Sequence, residues 1–436
     1  MDRQPRRAIT LAGGGPAAAL HIGALDFFEK DTNVRFDVWA LSCIGAWVGI
    51  YYQQSDPGKQ ADQTREFFRE HVFRDDVGYD RFPVCPAFGP DTVGLFRSAI
   101  KFLSDPASYR NLVLPDHVLA VVKDSIQLLG DTTRWNQADL SKFLLDYFAA
   151  HPASRFLTSF MYLSPLTGLT KTDYPSGHFL NSFNFARLDG PEKPFIFHNA
   201  FDLVGQDIKL FANRIISPTY EKMSPHSLCA CSALPYIEET VRLGGTRYCE
   251  GALVDTVNFK NLLEDAALML GEDGAKLDEI WVCRLVQKEQ IREPRNLCDA
   301  LANLCMLFAA TVGDDDVKLF RYHARLDGEK PWTGRIVELQ FGGATNFAWD
   351  RTNFDNGYHL GRKAALEAWT KYQRGDFEVD EDLIKAAHKA WARVRAMEEV
   401  RRDEIPIEAL LEVRSPRRAR KLPRKSRRHH VSEVGR

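Results

Sequence analysis

Cys43 lies in the run Val38-Trp39-Ala40-Leu41-Ser42-Cys43-Ile44-Gly45-Ala46, which reads as a short apolar strand, an abrupt turn and the start of a helix. A nucleophile exposed on such a strand-to-helix corner is the arrangement of the G-x-S-x-G elbow. Here the frame is Leu41-Ser42-Cys43-Ile44-Gly45: the second glycine is kept, the first is leucine, and a thiol fills the nucleophile slot. A thiol is more acidic than a hydroxyl, so it can attack an ester carbonyl with less help from a base. One strand and helix earlier, Gly13-Gly14-Gly15-Pro16 joins an apolar strand to an alanine-rich helix. Such a loop turns its N–H groups toward one point at the positive end of a helix, where a phosphate or a tetrahedral oxyanion can sit. It has neither the Gly-Lys-Ser/Thr of a Walker loop nor the G-x-G-x-x-G of a dinucleotide loop.

These residues need a sheet to position them. Residues 8–50 alternate strand, glycine loop, helix, strand, turn and helix, the order of an α/β fold. Apolar residues at helical spacing predict helices near 60–72, 92–103, 116–128 and 138–149. Prolines at 83, 86, 90, 106 and 115 interrupt this stretch, and about 55–190 reads as a helical insertion over one edge or face of the sheet. Strands are predicted at 194–197, 211–216, 279–283 and 336–341, and helices at about 295–311 and 356–372. Ile384, Ala387, Trp391, Val394 and Met397 space a last helix over about 382–401, and Pro406 closes the folded part.

Two more blocks complete a pattern: Ala230-Cys231-Ser232-Ala233-Leu234-Pro235 and Arg247-Tyr248-Cys249-Glu250-Gly251-Ala252-Leu253-Val254-Asp255. With the glycine loop and the elbow, they stand in the order found in patatin-like phospholipases. The chain resembles the bacterial branch of that family over about residues 8–345. His21-Ile22-Gly23-Ala24-Leu25 and Asn199-Ala200-Phe201-Asp202-Leu203 resemble further family segments. The resemblance implies a three-layer α/β sandwich with a mostly parallel central sheet, helices on both faces and a helical insertion. It also implies acyl-ester hydrolysis by a Ser–Asp dyad without histidine, with the glycine loop as oxyanion hole.

Five positions depart from the family pattern. Ala17 stands at the loop's arginine, Ala18 at its last glycine, Leu41 at the first elbow glycine, Cys43 at the serine and Glu250 at the aspartate. The resemblance thus makes Cys43 and Glu250 the candidate catalytic pair and Gly13, Gly14 and Gly15 the oxyanion hole. Gly45 and Gly251 are their scaffold. Glu250 keeps a carboxylate with one more methylene of reach, yet a carboxylate beside a thiol raises the thiol pKa. Leu41 must pack away from the crowded turn or alter the approach to it. The expected function is a lipid acyl hydrolase working through a Cys43 thioester. An acyltransferase using the same thioester and a non-catalytic lipid- or acyl-binding protein are the alternatives. No cofactor or metal is expected.

The remaining candidates read as structural. His226, Cys229 and Cys231 lack the spacing of zinc ligands. His21 reads as packing, Asp255 as a turn or cap, and Asp314-Asp315-Asp316 as a solvated loop. The eight cysteines have no framework-like spacing and, with no export signal in view, suit reduced thiols and a cytoplasmic protein. Nine positive charges fall between Arg414 and His430, so the rest of the chain holds 48 of the 57 basic residues against 59 acidic ones. A folded domain over 8–345, a helical extension over 346–405 and a basic, disordered tail over 406–436 follow from this reading. The segment 414–430 would suit an anionic membrane surface, making the protein peripheral there. It has no interleaved aromatics for nucleic-acid stacking.

Overall fold

The computed structural model describes residues 3–375 except 82, 84, 86, 88–91, 111–114, 173–178, 287–289, 327–331, 333 and 344–345. The last helix expected at 382–401 and the basic tail lie outside the described residues. The chain opens with β1 (Arg7–Leu11), α1 (Ala18–Asp31), β2 (Val38–Leu41) and α2 (Ile44–Gln54). Helices α3 (Gln60–Phe67), α4 (Asp76–Arg81), α5 (Thr92–Ser104), α6 (Pro115–Gly130), α7 (Gln137–Ala150) and α8 (Pro152–Leu163) follow. Then come β3 (Gly168–Thr170), β4 (Phe195–Asp202), β5 (Asp207–Ala212), β6 (Tyr220–Lys222) and α9 (Pro225–Ser232). Strands β7 (Tyr236–Glu238), β8 (Val241–Leu243) and β9 (Thr246–Glu250) lead to α10 (Phe259–Glu264) and α11 (Ala266–Leu270). The described part ends with β10 (Glu279–Cys283), α12 (Leu297–Leu326), β11 (Arg335–Leu339) and α13 (Arg351–Arg374).

Every residue of β1, β2 and β10 is buried, which requires cover on both faces and suits the parallel pairing they adopt. The sheet runs β11-β10-β1-β2-β4-β5-β6, parallel from β11 to β4, with β5 and β9 antiparallel to β4. One core layer holds Trp47, Trp281 and Phe354 between the sheet, α1, α2 and α13; the other holds Phe195, Phe197 and Ile280 on the opposite face. This is the mixed, mostly parallel sheet with surrounding helices that the resemblance implied. Helices α1 and α13 approach backbone to backbone, since a Cβ on Gly361 would lie 2.1 Å from the Leu20 carbonyl oxygen.

Three expectations need correction. The strand predicted at 211–216 is β5, which ends at Ala212: the Asn213 N–H still pairs with Ile196 O, but its side-chain Oδ1 takes the Ile196 N–H in place of its backbone carbonyl, and its Nδ2 reaches the Leu188 and Pro194 carbonyls. The helix expected at 295–311 continues to Leu326, so Asp314-Asp315-Asp316 lies in a helix and not in a solvated loop. Asp314 pairs with Arg284, and Asp316 accepts the Thr256 N–H at 2.8 Å. Helix α8 extends the helical region beyond the stretches predicted from the sequence; its Pro152 sits in the first turn, where proline is tolerated.

Candidate active site

Strand β2 ends at Leu41 and α2 begins at Ile44, so Ser42 and Cys43 alone turn the chain. Cys43 takes φ 50° and ψ −124°. For a residue with a side chain this costs on the order of 1–3 kcal/mol and persists only where the surroundings enforce it. The enforcing contacts are present. Gly45 N–H donates to Ser42 O and Ala46 N–H to Cys43 O, each at 2.9 Å, and Cys43 N–H donates to Cys231 Sγ at 3.1 Å. Helix α2 presses on the end of β1 so closely that a Cβ at Gly45 would lie 2.0 Å from the Leu11 carbonyl oxygen. The unusual Leu41 is fully buried in the sheet. Space for it comes from Gly49, where a Cβ would fall 2.6 Å from Leu41 Cδ2.

Glu250 closes β9, with its N–H held by Ala233 O at 2.9 Å. Its carboxylate lies beside the Cys43 thiol, near enough for each to shift the other's proton affinity. The glycine loop reaches the same point: a Cβ on Gly13 would lie 3.1 Å from Cys43 Cβ, 3.2 Å from Ala252 Cβ and 3.5 Å from Glu250 Oε1. Gly14 packs on Leu285 after β10, and Gly15, at φ 51°, lies under Phe347 and Trp349. Among the described residues the N–H groups of Gly13, Gly14 and Gly15 have no protein acceptor, whereas Ala12 N–H is taken by Cys283 O. His21, buried in α1, bonds the Ala12 carbonyl at 2.9 Å and fixes the corner where the loop leaves the strand. These elements meet at the carboxyl ends of β1, β2 and β10, where open α/β sheets form their crevice. A separate cleft of about 1210 Å³ opens at the amino ends of the strands beside Asp37, Lys193 and Arg214.

Behind the thiol lies a buried polar network that the sequence did not reveal. Asn199 Nδ2 donates to Asp255 O at 2.6 Å and Asn258 Oδ1 at 2.9 Å, and Asn258 Nδ2 donates to Ser42 Oγ at 3.2 Å. Asp255 Oδ1 accepts Asn258 N–H at 2.6 Å and Val257 N–H at 3.2 Å, which is the turn expected of it. Gly251 passes so close to Asn199 that a Cβ would meet Asn199 Oδ1 at 2.7 Å. Cys231 was read as a structural thiol. Its structural role is specific: the sulfur accepts the backbone N–H groups of Cys43 and Asn199, so it ties the elbow to β4. The intact segment ending at Pro235 was the one available signal of its place.

Burial, then the adjacent Glu250 carboxylate, push the Cys43 thiol well above the ordinary cysteine range, against a hydrogen bond from Ile44 N–H. Burial also lifts Glu250 to about 7, while the Cys43 thiol pulls it down. The carboxylate therefore ionises first and the resting thiol keeps its proton. Glu238, buried on β7, is lifted by burial to about 8. Among the described residues no three His, Cys, Asp or Glu side chains gather as a metal site, and no helix is long and apolar enough to cross a membrane.

A cysteine-bearing strand-to-helix elbow on a mostly parallel sheet, facing a glycine loop at the strands' carboxyl ends, is the architecture of α/β hydrolytic folds. The profile of the patatin-like phospholipases matches residues 9–263, more than half of the sequence, and the chain belongs to that family. Strands β10 and β11 and helix α13 extend its sheet and core beyond the matched region. The crystal structure of VipD from Legionella pneumophila aligns at 10% identity and a TM-score of 0.36, over 84% of this chain and 67% of that one, too distant to bear on the site. No curated protein matches the sequence.

Proposed function

We propose that this protein is a lipid acyl hydrolase that uses Cys43 as nucleophile and Glu250 as general base. The observation that carries the reading is a strained elbow thiol beside a carboxylate poised near neutrality, with Gly13 against both. A base of that strength suits proton transfer at neutral pH. As Cys43 Sγ bonds to the ester carbonyl carbon, its proton passes to Glu250, so no free thiolate has to form beforehand. The carbonyl π electrons move onto oxygen, and the unengaged loop N–H groups are the donors for that oxyanion. Collapse expels the alcohol, which takes the proton from Glu250 and leaves a thioester. Water then attacks the thioester as Glu250 takes its proton, the tetrahedral adduct breaks at the C–S bond, and the thiol recovers the proton.

Hydrolysis of a panel of phospholipids and chromogenic esters tests the proposal. Cys43→Ala and Glu250→Gln should each lower kcat at least about a thousandfold. Equal turnover by Cys43→Ala would remove the proposal. Offering an alcohol, amine or thiol acceptor beside water separates hydrolase from acyltransferase, because a transferase diverts the acyl group to the acceptor. Saturable acyl-chain binding with no turnover of any ester would instead mark a binding protein.

A further inference from the structure

Helices α5 to α8 each turn one side inward, half-buried on α8, and leave a second apolar side in solvent. On α6, Val121 and Leu128 face inward while Leu119, Val122, Ile126 and Leu129 form an outward row at i, i+3, i+7 and i+10. On α5, Phe102 is buried against Phe156 and Phe160, and Phe96, Ile100 and Leu103 point out. The same holds for Leu144 and Phe148 on α7 and for Leu157 and Met161 on α8. The exposures are high: Phe96 68%, Leu129 75%, Leu145 66% and Met161 72%. Isolated exposed leucines are ordinary, but rows on four successive helices exceed what a monomer leaves to water without a partner.

The charges around these rows indicate the partner. Helices α5 and α8 contain no acidic residue and carry Arg97, Lys101 and Arg155. On α7, Asp139 and Asp146 lie on the inward side with Phe143 and Ala150, away from the apolar row. Trp135, Tyr147 and Tyr162, each with an apolar ring and a polar tip, are more than half exposed at 60%, 52% and 81%. Aliphatic rows with one exposed carboxylate among them, Asp116 in the first turn of α6, and bordered by long cations and amphipathic aromatics, match the composition of helices that lie in a phospholipid interface. The platform is also tied to the candidate site. Helix α8 leads into β3, which pairs with β7, and β7 starts three residues after Ala233, whose carbonyl holds the Glu250 N–H.

We infer that the outer faces of α5 to α8 dock the protein on a phospholipid surface, from which the site behind β7 draws its acyl substrate. The choice of a lipid rests on the acyl-hydrolase reading, but docking itself needs no turnover.

Flotation of the full chain with phosphatidylcholine vesicles at high ionic strength, which screens the basic tail, tests this. Wild type and Cys43→Ala should float equally. The combined Leu119→Ser, Ile126→Ser and Leu129→Ser variant should lose partitioning by about tenfold or more. It should keep its circular dichroism and its rate on a water-soluble ester. Phe96→Ser with Leu103→Ser gives an independent second variant on another helix. Undiminished flotation of both variants, or no flotation of wild type, overturns the inference. So does a wild-type oligomer that either variant converts to monomer, since a second copy would then cover the face. Loss of soluble-ester turnover in wild type itself would sink the hydrolase reading and leave the docking result standing.

Discussion

Replacing Glu250 by glutamine should stabilise the protein at alkaline pH while abolishing its chemistry. The side chain is 6% exposed and burial lifts its carboxyl from 4.5 to about 7. Between those values the unfolded chain has released a proton that the folded chain still holds, so stability falls as pH rises through this window. The interval corresponds to about 3 kcal/mol of folding free energy at pH 8. Glutamine never ionises and is nearly the same size, so it avoids that cost. It gives up part of the interaction with the Cys43 thiol, about 1 kcal/mol. At pH 5 wild-type Glu250 is largely protonated in the fold, and the two proteins should agree within about 1 kcal/mol. Urea unfolding of both proteins at pH 5 and pH 8 reads the difference directly. Glu238 and Asp316, also lifted by burial, titrate in both proteins and cancel. The gain from substitution should be larger at pH 8 than at pH 5 by about 2–3 kcal/mol. An equal effect at the two pH values would refute a buried, reluctantly ionised carboxylate at this position.

Further outcomes follow from the same geometry. Log kcat/KM on a soluble ester should rise with unit slope up to about pH 7 and then level off as Glu250 loses its proton. Any residual rate in Glu250→Gln should lack that limb. Gly13→Ala places a methyl 3.1 Å from Cys43 Cβ and 3.2 Å from Ala252 Cβ, and should cost about a hundredfold in kcat with less than about 1 kcal/mol in stability. Gly49→Ala should destabilise by about 1–3 kcal/mol by striking Leu41 Cδ2. Leu41→Ala should restore part of that loss, a coupling that a double-mutant cycle measures.

Much of the arrangement was legible because local chemistry and global fold agree. The apolar runs of β1, β2, β4 and β10 signal buried strands without tertiary information. The loop and elbow glycines mark close approaches that any side chain would obstruct. How Leu41 fits beside the elbow is hidden in the sequence, because Gly49 lies eight positions on and makes room for it only once α2 packs on β2. Cys231 and Asn199 gave no sign of contact with the elbow, Cys231 lying 188 positions from Cys43 and Asn199 157 positions from Ser42. Asp314 and Asp316 read as solvated because Arg284 and Thr256, their partners, lie in other elements. Sequence patterns report what a residue does to its own segment, while these contacts depend on which segments the sheet brings together.

The central claim is that the Cys43 sulfur carries the acyl group with Glu250 as its base. Intact-protein mass after acid quench of a reaction with a chromogenic ester tests it most directly. The mass should rise by one acyl group, mapped to the Cys43 peptide and released by hydroxylamine. Glu250→Gln should slow its appearance, and Cys43→Ala should show none. Ester turnover without any adduct, continuing unchanged in Cys43→Ala, would contradict the account.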